Sequence, residues 1–309
     1  MERKFWQITK LVISILVLTI LIRYVGLQEI IHVMSSFNPI YLLILFLLHL
    51  CALTLGAVNI QLLLRSIKKD ISFGEMFKKY LSSSVMGDFT PGRVGDFSLI
   101  FFLKKKDIQP GTSVAILLVD KILTVTTLLL ISIAGVFLFV GKEAAITILS
   151  LFLLGIVLAW FFLVAEAGRN LIRRLLPQQI NEKLKGFSKT LILLMNKKRY
   201  MIYNILVTVI KWSVQYLVFY VTASAFGEHL PLLSILLFAT VMLISYIPIA
   251  FGGFGLRETA AVFFFKFIGS KPELIISVFL VMSIIKYLVS LGIIFILLNR
   301  KSEKQAQRS

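Results

Sequence analysis

Cysteine, histidine and acidic side chains are scarce in this chain: one Cys, three His and 15 Asp plus Glu serve 309 residues. A lone Cys51 excludes disulfides and multi-cysteine metal sites within the chain. There is no Gly-x-Ser-x-Gly elbow, no paired-histidine metal motif and no P-loop, so the sequence lends no support to hydrolytic, zinc-dependent or nucleotide-driven chemistry. Charge of any kind is thin as well. Only 16% of residues are charged, against about a quarter in soluble domains, while 58% are hydrophobic and the mean hydropathy is +0.93. Too little polar surface is left to cover a core in water, so the solvent must be a bilayer.

Long apolar runs supply what the composition promises. Six stretches, 5–25, 40–64, 112–140, 144–165, 200–226 and 273–298, are each long enough to cross roughly 30 Å of hydrocarbon at about 1.5 Å per residue. The basic start MERKF is that of a signal peptide, but no small-x-small cleavage site follows, so 5–25 is taken as span 1. The net charge of +18 invites a nucleic-acid reading that its distribution argues against. With the N-terminus placed in the cytoplasm, Lys and Arg gather in the inward segments 65–79, 104–107, 166–199 and the tail, as the positive-inside rule requires. The predicted outward loops are 26–39, 141–143, 227–231 and 269–273. In the linker 166–199, Ile180, Leu184, Phe187, Leu191 and Leu194 recur at helical spacing opposite Lys183, Lys185 and Lys189. That pattern suits a helix on the cytoplasmic surface or an ordinary packed linker.

For this topology to close, residues 74–103 and 232–268 must each enter and leave on one side. In the first, DFTPGRVG separates two half-membrane stretches and is too rich in Gly and Pro to continue a helix. In the second, IAFGGFG does the same. Both read as re-entrant hairpins, with irregular backbone tolerable only where protein or a wet cavity satisfies it. Full crossings would give eight spans and would move Lys104–Lys106 outward, against the positive-inside rule.

A gap-free shift of 162 residues sets Asp96 on Glu258, Phe101 and Phe102 on Phe263 and Phe264, Lys104 on Lys266 and Pro110 on Pro272. The same shift lays span 2 over span 5 and span 3 over span 6. Each half is then helix, hairpin, helix (about 40–140 and about 200–298), and span 4 inverts the second half. The expected fold is an all-α polytopic membrane protein with six spans and two re-entrant hairpins in an inverted repeat, an arrangement that puts substrate near the midplane.

Nine ionisable groups fall at membrane depth: Asp88, Arg93 and Asp96 in hairpin one, Arg257 and Glu258 in hairpin two, Asp120 and Lys121 in span 3, Lys211 in span 5 and Lys286 in span 6. Each costs about 2.5–3.5 kcal/mol or more at the centre of a helix facing lipid, so they must face one another or water. Span 5 carries one polar stripe, Asn204, Thr208, Lys211, Gln215 and Thr222. His49, Gly56 and Asn59 form a narrower strip on span 2, and Ser283 and Ser290 flank Lys286. Two readings stay open: buried ion pairs (Arg93 with Asp96, Asp120 with Lys121) acting as helix glue, or a polar path. Lys211 and Lys286 have no acidic neighbour on their own helices and are the best candidates to meet an anion. Hairpin tips add backbone N–H groups, at VGDF after Gly92 and LRET after Gly255, that favour phosphate. A lipid phosphate is the anion already present in a membrane.

PGRVGD (91–96) with the charged stretch that follows, and GGFGLRE (252–258), resemble two motifs of the lysylphosphatidylglycerol synthase transmembrane family, also called the flippase-like domain family. The resemblance runs over essentially the whole chain. It implies that Pro91, Arg93, Gly95, Asp96, Gly252, Gly253, Gly255, Arg257 and Glu258 line a lipid path, together with Asp88, Asp120, Lys121, Lys211, Gln215 and Lys286 from the reading above. Two departures, Asp96 where Glu is common and Asp120-Lys121 where Glu-Arg is usual, keep charge but alter reach. In full-length relatives lysyl transfer belongs to a soluble domain after the membrane part, and here the chain stops soon after span 6. The expectation is therefore a flippase or scramblase for an anionic or phosphate-bearing lipid, with no cofactor, no nucleic-acid partner and both termini cytoplasmic. A lysyltransferase is the competing enzyme class. A scaffold for a separately encoded glycosyltransferase or lipid synthase is the third reading.

Overall fold

Apolar runs free of internal proline wind into helices because only a helix satisfies every backbone N–H and C=O without water. The computed structural model of the protein describes residues 2–88, 90–163, 168, 186–246 and 253–306, and every regular element among them is helical. The chain begins with α1 (Glu2–Val25), which ends at Gly26, φ 101°, and turns by 83° into α2 (Leu27–Ser35). The segment expected to be an outer loop is thus helical. Its Ile30 packs on Leu21 and Ile276, an apolar face that a loop could not present.

A 3-10 turn at Pro39–Tyr41 leads into α3 (Leu42–Ser66). Hairpin one consists of α4 (Phe73–Asp88), a 3-10 helix Pro91–Ser98 and α5 (Leu99–Lys104). The break falls just before Pro91, where Thr90 is extended as the residue before proline prefers. The Gly-rich tip then winds as 3-10 helix instead of remaining irregular, and a true α-helical start at VGDF does not occur. Next come α6 (Pro110–Phe139), α7 (Lys142–Leu163) and α8 (Phe187–Asn196). The chain continues through α9 (Lys198–Ala225), α10 (Ser234–Ser245), α11 (Leu256–Phe265) and α12 (Pro272–Ala306). Hairpin two is α10 with α11. Most of the predicted linker 166–199 lies outside the described residues. Its last part is α8, whose Leu191 and Leu194 are buried against the helices below.

Among the described residues, four helices, 39–66, 110–139, 198–225 and 272–295, are long and apolar enough to cross a bilayer, and α1–α2 makes a fifth if the bent pair is one span. The protein is therefore an all-helical polytopic membrane protein. α4, α5, α10 and α11 are all shorter than these spans, at 16, 6, 12 and 10 residues. Their ends sort by charge: Lys104–Lys106 mark one end of the bundle (the basic end), while Glu29, Glu228 and Glu273 meet at the other (the acidic end).

The most extensive helix pairing joins α3 to α9. Polar residues of the span 5 stripe serve it: Asn59 Nδ2 donates to Thr208 Oγ1 at 2.9 Å, and Asn204 Nδ2 to the Asn59 carbonyl at 3.1 Å. Around this axis α6 packs on α10 and α12 packs on α4, and likewise α5 meets α6 as α11 meets α12. Two large hydrophobic cores result, beside the small cluster of Leu21, Ile30 and Ile276. One, near the basic end, gathers Ile60, Leu63, Met76, Leu103, Ile116 and Leu194. The other is built around the contacting rings of Phe219, Phe238, Phe265 and Phe279. Between them lies a polar space.

Candidate functional site

Lys211 is 13 residues from the start of α9 and 14 from its end, so it sits about 20 Å from either end of the helix. At this depth the helices enclose a cavity of about 140 Å³. Its wall contains Lys211, Trp212 and Gln215 from α9, Asp120, Lys121 and Thr124 from α6, Lys286 from α12, Asp88, Ser84 and Tyr80 from α4, Arg257 from α11, Tyr246 beside α10 and His49 from α3. Seven of the fifteen residues singled out in the sequence thus line one space: Asp88, Asp120, Lys121, Lys211, Gln215, Arg257 and Lys286.

Asp96 and Glu258, which the 162 shift superposes, stand just behind the wall in the same role. Asp96 Oδ2 accepts from Lys121 Nζ at 2.5 Å, and Glu258 Oε1 from Arg257 Nη2 at 2.5 Å. Each of these two motif carboxylates therefore holds a cation that faces the cavity. Glu258 is 0% exposed. Its second oxygen accepts the Gly255 N–H at 2.7 Å, so one backbone donor at the start of α11 is already held by a carboxylate. Gly255 and Gly253 have φ of 83° and 79°, a conformation that suits glycine in this turn. Gly95 belongs to the packing of hairpin one: its N–H donates to Thr90 Oγ1 at 2.6 Å, and a Cβ there would lie 2.1 Å from the Met86 carbonyl oxygen. Pro91 and Arg93 fall in the 3-10 helix, but their side chains lie outside those described, and Gly252 lies outside the described residues altogether.

The expected pairings change partners. Lys121 is bound to Asp96 of hairpin one, not to its neighbour Asp120, because consecutive residues on a helix point about 100° apart and do not face each other. Lys286, which has no acidic neighbour on its own helix, meets a carboxylate from α4: Asp88 Oδ1 is 3.3 Å from its Nζ, and Asp88 Oδ2 accepts from Ser290 Oγ at 3.1 Å. Arg257 Nη2 also donates to Ser283 Oγ at 2.7 Å and lies over Phe279, 5.1 Å from the ring centroid. Lys121 lies 5.6 Å from the Tyr246 ring and Lys211 5.8 Å from the Trp212 ring.

Besides Asp88 Oδ1, which faces the Lys286 ammonium, three buried polar atoms of lining residues have no hydrogen-bond partner among the described residues: Asp120 Oδ1, Thr124 Oγ1 and Trp212 Nε1. Such atoms call for water or a ligand. The wall itself carries four cations and two carboxylates, and Asp96 and Glu258 behind it offset two of the cations. Sequence periodicity could not have named Tyr80, Trp212 or Tyr246, which read as ordinary core aromatics. His49 was visible as a polar break in span 2.

The lining residues also pair by position. Six pairs differ by 162: His49 and Lys211, Leu53 and Gln215, Tyr80 and Met242, Ser84 and Tyr246, Asp120 and Met282, Thr124 and Lys286. Twelve of the nineteen lining residues fall in such pairs.

A family model described as the lysylphosphatidylglycerol synthase TM region matches residues 7–293. A UPF0104 membrane protein of Pyrococcus horikoshii, PH1989, is 23% identical over 94% of this chain and 96% of its own length. Another UPF0104 membrane protein, from Methanothermobacter thermautotrophicus, is 22% identical over 85% of this chain and 86% of its own. No solved structure matches the chain.

Proposed function

The chain belongs to the lysylphosphatidylglycerol synthase transmembrane family, and from that premise we propose that it is a flippase or scramblase, moving the headgroup of an anionic or phosphate-bearing lipid through the central cavity. The observation that carries the reading is the cavity wall: four cations and two carboxylates near the middle of the spanning helices, with twelve of nineteen lining residues in pairs 162 positions apart. Charged groups at that depth are costly unless they serve a path, and a wall shared by two repeats suits a site that faces each side in turn.

On this reading α1, α3, α6, α7, α9 and α12 are the six spans. The hairpins α4–α5 and α10–α11 are re-entrant, and the basic end with both termini is cytoplasmic. The two halves are an inverted repeat, and the related contacts α6–α10 and α4–α12 are its two gates. In the present conformation α6 and α10 are closely joined at the acidic end, whereas α4 and α12 touch sparingly. Exchanging these two arrangements would turn the cavity from one face of the membrane to the other. The lipid tail would stay in hydrocarbon throughout, and no group on the wall is asked to make or break a covalent bond.

The test is reconstitution in vesicles of phosphatidylcholine carrying a trace of fluorescent phosphatidylglycerol or polyprenyl phosphate. The protein should speed the access of inner-leaflet lipid to an impermeant quencher added outside, and Lys211→Met should abolish the gain. No acceleration with either lipid would sink the transport reading. Lysylphosphatidylglycerol appearing in cells that express this chain alone would establish the enzyme class instead.

A further inference from the structure

Asp120, Thr124 and Trp212 share the cavity wall with the four cations, yet Asp120 Oδ1, Thr124 Oγ1 and Trp212 Nε1 have no hydrogen-bond partner among the described residues. Asp120 is 8% and Thr124 1% exposed, so their polar atoms depend on whatever occupies the cavity. The two stand one turn apart on α6 and share one face. Trp212 belongs to α9, and its indole is set edge-on to Tyr246 with ring centroids 6.4 Å apart. Asn59 Oδ1 and Asn204 Oδ1 also lack partners among the described residues, but they belong to the α3–α9 seam and not to the cavity wall.

The three atoms differ in what they require. A carboxylate oxygen accepts, an indole N–H only donates, and a threonine hydroxyl does both. A phosphodiester oxygen therefore satisfies the indole and the hydroxyl but not the carboxylate. An ammonium satisfies the two oxygens but not the indole, and a choline group, with no N–H, satisfies none of the three. A hydroxyl donates and accepts at once, so it suits every one of them. Water has the same property and is the competitor that a ligand displaces: about 140 Å³ corresponds to about four waters at roughly 30 Å³ each.

The 162 shift shows where this feature is particular to one helix. Asp120 and Thr124 of α6 correspond to Met282 and Lys286 of α12, and all four line the cavity. An ammonium on one helix, with a carboxylate and a hydroxyl on the other, suits the two ends of a headgroup that carries both a phosphodiester and free hydroxyls. Resting on the lipid-transport reading above, we propose that Asp120, Thr124 and Trp212 form a hydroxyl-reading subsite. The cavity then selects lipids whose phosphodiester headgroup bears a polyol or sugar over lipids of equal charge that lack a hydroxyl. Removing the hydroxyl leaves these wall atoms with water alone, and that difference is the source of the selection.

The probes are dihexanoyl phosphatidylglycerol, phosphatidylpropanol, which has the same charge and no hydroxyl, and phosphatidylethanolamine, which offers an ammonium. Each is added to the full-length protein in nanodiscs of phosphatidylcholine, and binding is read by Trp212 fluorescence in a Trp6→Phe/Trp160→Phe background. The parent should bind the glycerol lipid about tenfold more tightly than the propanol lipid. Thr124→Val keeps the side-chain shape and should cut that preference about threefold; Asp120→Asn should cut it further. Because Asp120→Asn changes the charge of the wall and could misfold, Thr124→Val decides alone: a preference it leaves undiminished overturns the subsite. Equal binding of the glycerol and propanol lipids by the parent, or no binding of any probe, overturns it as well. Phosphatidylethanolamine bound as tightly as the glycerol lipid would show an ammonium site and contradict the hydroxyl assignment. Competition by sn-glycerol 3-phosphate as strong as the lipid's keeps the hydroxyl subsite but assigns it to a soluble polyol phosphate. The expected preference without any movement of fluorescent lipid in vesicles upholds the subsite and counts against the transport reading instead.

Discussion

The contacts α6–α10 and α4–α12 involve residues 162 positions apart in the sequence, yet they are built differently. The first is close and uncharged: a Cβ at Gly135 would lie 2.8 Å from the Leu236 backbone, and Ser132 bonds Thr240 at 2.9 Å. The second is held by the Asp88–Lys286 and Asp88–Ser290 contacts beside the cavity. Gly74, the counterpart of Leu236 under the 162 shift, has open space around it: an added Cβ would meet nothing within 4 Å among the described residues. Lys78 and Ile294 are the counterparts of Thr240 and Ser132. The difference teaches that one helical bundle can hold a sealed junction and a loose one at once, which is what the proposed alternation requires.

The largest expected effect comes from welding the sealed side. With Cys51→Ser, the pair Ser132→Cys/Thr240→Cys should oxidise readily and stop lipid movement in vesicles, and a reductant should restore it. Full activity in the cross-linked protein would break the comparison.

A smaller effect separates fit from function. Gly135→Leu forces a side chain into backbone and should lower stability by about 1–3 kcal/mol, read as a fall in the thermal midpoint. Gly74→Leu meets open space, so the midpoint should hold or rise by the helix propensity difference, about 1 kcal/mol at most. It should nevertheless slow transport, because the loose side could no longer close. A normal transport rate in Gly74→Leu would argue that this side never packs.

The smallest effect concerns the foot of hairpin one. Glu75 binds Lys106 at 2.9 Å and Lys79 at 3.0 Å, and these partners, Lys106 first, hold its carboxyl below the usual range. A depressed carboxyl stabilises above its ordinary pKa of about 4.3 and loses that contribution as pH falls through the lowered value. Hydrogen exchange at 104–107, corrected for the intrinsic pH dependence of amide exchange, should therefore be unchanged from neutral pH down to about 5 and rise only below about pH 4, with little loss of global stability because the pair is solvent-screened. A rise already at pH 6 would show that another group controls this segment.

Much of this was legible in the sequence for physical reasons. Long apolar runs fixed α3, α6, α9 and α12 to within a few residues, since lipid allows no other backbone. The polar stripe of span 5 was visible, but its division of labour was not. Asn204 and Thr208 bind α3, and only Lys211 and Gln215 reach the cavity. Periodicity tells which face avoids lipid, not what that face meets. For the same reason Lys286 was matched to no acid: its partner lies 198 positions away in the other half. The bend at Gly26 and the 3-10 tip were hidden because both depend on a single positive φ or a proline boundary inside otherwise apolar or Gly-rich text. The 162 offset, by contrast, was readable in advance and reappears in the cavity wall.

The central claim is that one cavity is reached from each side of the membrane in turn. Gln215→Cys, in the Cys51→Ser background, places a thiol on the wall in oriented vesicles. An impermeant maleimide should label it when added to either face. After the 132–240 pair is cross-linked, labelling should persist only from the face at the basic end. Labelling from neither face, or from both faces after cross-linking, would contradict the account.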